Sequence, residues 1–162
     1  MTQRIADIAV YSREGSLSLV AETKNRPLAT RKWAAEYLRN LIDYYGAAPG
    51  APYFLLALPD SFYLWRTAPN RSHSDSDPFG EPEPHYQADA KPLLRPYLED
   101  VGLPLDDLSE AGFGLLVSAW LSDAVDPNLR KQDVPDEARE LLFSSGLRRA
   151  IEGGSVRTEV AI

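Results

Sequence analysis

The unbroken apolar run at residues 53–58, Tyr-Phe-Leu-Leu-Ala-Leu, constrains this chain more than any other stretch. A half-buried strand carries polar residues at every second position, whereas this run carries none, as expected of a central strand buried on both faces. Pro59-Asp60-Ser61 reads as a turn and residues 62–66 as the next strand. Phe62, Tyr63 and Trp65 are of a type that stacks on bases, but sheet packing is the commoner role and the one expected here. With 162 residues, 44% of them hydrophobic, the chain has length for one ordinary domain with a real core.

Ahead of that run, residues 5–11 and 17–24 read as two strands joined by a turn at Arg13-Glu14-Gly15-Ser16. Residues two apart in a strand share a face, so Glu22 and Lys24 project together. Pairing as a hairpin would bring Asp7 near Glu22. Two carboxylates suit a hard divalent cation, and a lysine beside them can position a water. Each residue also has a bland role, Asp7 at the exposed start of an edge strand and Glu22 and Lys24 on a solvated face. A helix over residues 31–45 follows, with Thr30 as N-cap and Gly46 closing it. Its apolar stripe is Trp33, Ala34, Tyr37, Leu38, Leu41, Ile42 and Tyr45.

Asp, a gap, then Glu-x-Lys, followed by a helix and two apolar strands, resembles the PD-(D/E)xK nuclease superfamily. The flavour is that of restriction-endonuclease-like domains related to the amino-terminal region of type I restriction subunits. The likeness covers residues 1–66. It implies an α/β fold, a mixed sheet flanked by helices, that cleaves DNA with magnesium, or manganese in its place. By the same resemblance Asp7, Glu22 and the Thr23 carbonyl would ligate the metal, and Lys24 would orient or help deprotonate the attacking water. In such nucleases the helix after the motif supplies a further polar residue. The family's Gln-x-x-x-Tyr spacing is not present, so Glu36 and Asn40 are the nearest candidates, with Arg39 a candidate phosphate contact. Relatives often carry an acidic residue on a helix before the first strand. Few residues precede Ile5, so that helix is expected to be absent or supplied from elsewhere.

The net charge of −7 argues against a general nucleic-acid binder. Its distribution changes that reading. Residues 1–66 hold eight Lys and Arg against six Asp and Glu, and the remaining residues hold nine against eighteen. The acidity therefore lies outside the nuclease-like core, where it would suit contacts with a second copy or a partner subunit. A platform of this fold that binds without cleaving is the alternative function, and an α/β domain with no nucleic-acid role is a third.

Residues 67–90, rich in Pro, Ser, Asp, Glu and Gly, read as a linker. It includes His73 and His85, and the run Ser72-His73-Ser74-Asp75-Ser76-Asp77 is read as surface rather than as a metal site. Residues 91–162 read as a mainly helical extension ending in a strand. Its helices are expected over 91–100, interrupted at Pro96; over 108–124, capped by Asp106 or Asp107; and over 133–143. Periodicity leaves 112–121 open between helix and strand. The terminal strand at 155–162 would join the parent sheet or pair with another subunit. There is no cysteine, no apolar run of membrane-spanning length and no signal-like start, so a cytoplasmic protein is expected.

Overall fold

In the computed structural model, residues 4–66 and 83–162 are described. The Ser72–Asp77 run, with His73, lies outside them. The hairpin of β1 (Ile5–Tyr11) and β2 (Leu17–Thr23) closes through Gly15, whose φ of +89° suits the turn. Helix α1 (Arg31–Tyr45) starts where Thr30 Oγ1 accepts the Trp33 N–H at 3.1 Å. It ends where Gly46, in the left-handed region, donates to the Ile42 carbonyl. This helix crosses over to β3 (Tyr53–Ala57), which lies parallel to β2, and β4 (Ser61–Arg66) returns antiparallel.

Downstream, β5 (Tyr86–Asp89) forms inside the stretch read as a linker and pairs with β4. Helix α2 (Ala90–Val101) runs on through Pro96. Residues 112–121 are helical, within α3 (Glu110–Ala124). Its cap is Ser109, whose hydroxyl accepts the Gly112 N–H at 3.0 Å, and neither Asp106 nor Asp107 fills that role. Short helix α4 (Asp136–Arg139) widens into a π turn over Glu140–Ser144, and α5 (Leu147–Ile151) follows. Strand β6 (Ser155–Ala161) then pairs antiparallel with β1, so the terminal strand joins the parent sheet.

The result is an α/β protein with one six-stranded mixed sheet, ordered β5-β4-β3-β2-β1-β6. Alternate side chains of the strands feed two cores. Val20, Phe54, Leu56 and Trp65 pack against Ala34 and Leu38 of α1. On the other face Leu19, Leu55, Phe62 and Leu64 pack against α2 to α5, with the Phe62 and Trp120 rings edge to face at 5.1 Å. The central run is buried on both faces, and the aromatic residues of β4 are core. Both chain halves therefore share one sheet, the helices of the extension forming its second layer.

One close approach fixes β6 against β1. A Cβ on Gly154 would stand 1.9 Å from the Tyr11 carbonyl oxygen, which no rotamer relieves because both partners are main chain. Gly154→Ala is therefore expected to lower unfolding stability by about 2–4 kcal/mol, within the range of severe overpacking and strain. Urea denaturation measures this, and an unchanged midpoint would mean that β6 does not sit where described.

Candidate active site

The hairpin register pairs Ile8 with Ala21, and one further antiparallel step sets Asp7 opposite Glu22. Asp7 Oδ2 accepts the Thr23 main-chain N–H at 2.9 Å and lies 3.5 Å from the Thr23 hydroxyl. The Glu22 carboxyl meets both the Asp7 carboxyl and the Asp7 main-chain amide. Glu22 is only 8% exposed. Burial, above all, pushes its carboxyl up to about 9, and the hydrogen bond and charge of Asp7 add to the rise. The Lys24 ammonium and the Asp7 amide oppose it without cancelling it. A carboxyl this dry beside a second one is costly to ionise, so near neutral pH Glu22 keeps its proton.

Lys24 leaves the end of β2, its N–H bonded to the Ala57 carbonyl at 3.1 Å, and its ammonium lies 5.9 Å from the centroid of the Tyr37 ring. The Tyr37 phenol is raised well above its usual range by burial and by the charges of Glu22 and Asp7, so it remains a donor. Two further cation–aromatic pairs lie on the same side of the sheet. The Arg26 guanidinium sits 4.8 Å from the Trp33 centroid, and that of Arg4 lies 4.1 Å from Tyr45 within the field of Glu22.

Toward α3 the same strand ends open into a cleft of about 520 Å³. Asp7, Thr23 and Lys24 form one end, and Gly114 and Ser118 of α3 face Thr158 and Glu159 of β6. Glu110, the first residue of α3, accepts the Asn25 N–H at 3.0 Å, while the Asn25 side chain donates to the Leu108 carbonyl at 2.8 Å. These bonds hold the start of α3 against the strand that carries the acids.

Asp7, Glu22, Thr23 and Lys24 thus come together, as the spacing of the hairpin predicts. Glu36, Arg39 and Asn40 do not join them. All three are exposed on α1, and none is among the groups that shift Glu22. The residue α1 turns toward the acids is Tyr37, which the sequence offers only as part of an apolar stripe. Glu110 and Glu159 were likewise out of reach, because nothing local in the sequence ties residues 110 or 159 to residue 7.

A buried Glu22 carboxyl held beside Asp7 is a donor set short of positive charge. Magnesium is commonly bound through one or two carboxylates with water completing its octahedron, so Asp7 and Glu22 fit such an ion. The Thr23 carbonyl is the third ligand implied by the resemblance. Among the described residues no group of three or more His, Asp or Glu converges as a metal cluster. No protein family, curated protein or solved structure matches this chain.

The raised carboxyl of Glu22 sets the sign of a pH dependence. Above its ordinary value of 4.5 the unfolded chain releases this proton, while the folded chain keeps it until about 9. The native state then binds more protons, and stability falls as pH rises through that window. Metal-free thermal unfolding should show a declining midpoint, and Glu22→Gln should flatten the decline and exceed the wild type at the alkaline end. A wild-type midpoint that holds level across the window would show that Glu22 ionises normally.

Proposed function

We propose that this chain is a restriction-endonuclease-like, metal-dependent nuclease that hydrolyses phosphodiester bonds in DNA. One observation carries the reading: the Asp7 and Glu22 carboxyls are close neighbours at the end of the β1–β2 hairpin, with Lys24 beside them. The order of elements supports it, since the acid-bearing hairpin leads through α1 to a strand parallel with β2. So does the excess of basic over acidic residues in 1–66.

In this reading Asp7 and Glu22 hold magnesium, or manganese, with the Thr23 carbonyl. An ion held there would supply positive charge for the phosphoryl oxygens and would make a bound water more acidic. Lys24 donates to that water and orients it toward phosphorus. As the new P–O bond forms, the bond to the leaving oxygen breaks; the attacking water gives up its proton to solvent, and the leaving oxygen takes one up from solvent. Thr23 keeps the Asp7 oxygens aimed by its main-chain N–H. Arg26, exposed above Trp33, offers a guanidinium to a neighbouring phosphate.

A second reading is a platform that binds nucleic acid or protein without cleaving. It is favoured by the small number of acids that converge and by the outer edge of β6, which pairs with no other described strand. Calorimetric titration of magnesium or manganese into the wild type and Glu22→Ala separates the two, followed by plasmid nicking. The nuclease reading expects metal binding that Glu22→Ala abolishes and nicking that requires the metal. Lys24→Ala should bind metal like the wild type yet nick about 10²-fold more slowly or worse. No metal binding by the wild type, with DNA absent or present, would leave the platform.

A further inference from the structure

The two sides of the acid-bearing strand ends differ in charge. Toward α3, Asp7 and Glu110 line the cleft together with Glu159, which is left-handed at a φ of +50°. Lys24 is the only cation among the lining residues, so a phosphodiester is repelled from that side. On the α1 side the balance is reversed. Arg26, Lys24 and Arg4 lie over three rings of α1, those of Trp33, Tyr37 and Tyr45 in that order.

The spacing of the rings turns three contacts into a row. Trp33 and Tyr37 stack at 5.5 Å, and Leu41 and Tyr45 continue the same flank at four-residue steps. Twelve residues of helix rise about 18 Å, whereas one strand of a duplex carries a phosphate every ~3.4 Å along the axis. The row therefore has room for several phosphates. Its middle cation, Lys24, and the Tyr37 ring beneath it both lie in the field of Glu22, so the acids sit partway along the row. None of the three cations forms an ion pair among the described residues, whereas Arg130, Arg139 and Arg148 each face a carboxylate. Arg4 makes one bond, from Nη2 to the Ala47 carbonyl at 2.7 Å. A ring beneath a guanidinium fixes its plane and leaves free the N–H edge that grips a phosphate.

We infer that Arg26 and Arg4 are positioning residues that hold backbone phosphates of duplex DNA on either side of the phosphate at Lys24. The bound strand then follows this flank of α1, crossing the acids midway. DNA as the partner rests on the nuclease reading. Both arginines meet the backbone and read no base, so the row sets affinity and register rather than sequence choice.

The test follows binding of a short labelled duplex to metal-free protein by fluorescence anisotropy over a range of salt. The logarithm of the association constant falls linearly with the logarithm of salt concentration, with a slope of about −0.9 per phosphate neutralised. Arg4→Gln and Arg26→Gln should each make the wild-type slope shallower by about 0.9, and the double variant by about 1.8. Arg26→Lys should keep the wild-type slope, because charge rather than shape sets it. Arg149→Gln changes an exposed arginine beside the β1–β2 turn, at the other end of the hairpin, and should leave slope and affinity unchanged. Arg26 is exposed, so its variants test the row even where Arg4→Gln disturbs the bond to Ala47, which circular dichroism detects. A slope that either folded glutamine variant leaves unchanged overturns the inference, as does an equal loss in Arg149→Gln or no binding by the wild type at low salt. Slope losses without metal-dependent nicking would overturn the nuclease reading alone; nicking with unchanged slopes would overturn the row alone.

Discussion

The Thr23 amide donates to Asp7 across the β1–β2 hairpin, and that bond fixes one carboxylate against the buried carboxyl of Glu22. Two carboxyls held this way work against the fold, because each would be better solvated alone. The surroundings are arranged so that they cannot separate. β2 is buried along nearly its whole length between β1 and β3, and its last amide bonds run to Asp7 on one side and Ala57 on the other. The cost of holding the two acids together is therefore borne by the backbone hydrogen bonds of a rigid sheet.

The sheet also divides the site electrostatically. On the α1 face, cations lie over aromatic rings, so their charge remains near the surface while their planes are held in place. Facing α3, carboxylates outnumber cations among the described residues. The net charge of the chain merely averages the two faces.

Much of this was legible from residues alone where the determinants are local. The turn at Gly15, the cap at Thr30, the stop at Gly46 and the doubly buried run at 53–58 each follow from neighbours within a few positions, and hairpin spacing brings Asp7 to Glu22. What escaped depends on distant partners. Tyr86–Asp89 is short and follows a Pro-rich stretch, so only pairing with β4 makes it a strand. Ser109 displaces two adjacent aspartates as the cap because a 3₁₀ turn occupies Leu105–Asp107 first. Glu36, Arg39 and Asn40 are of suitable chemistry, but the packing of Ala34 and Leu38 turns them outward. The left-handed twist at Glu159 has no signature in the alternation of β6, which reads as regular through that position.

The pairing of β6 with β1 gives the two parts of the site different folding histories. Asp7 and Glu22 are joined by a hairpin whose ends are close in sequence, a contact that forms early because little chain entropy is lost in closing it. The cleft needs β6 and α3 as well, and β6 reaches β1 only by closing a loop on the order of 150 residues, a class of contact that slows folding. The carboxylate pair can therefore exist on a chain whose cleft has yet to form. Any species trapped at that stage would hold the two acids next to an uncovered β1 edge, and would also present that edge to other chains.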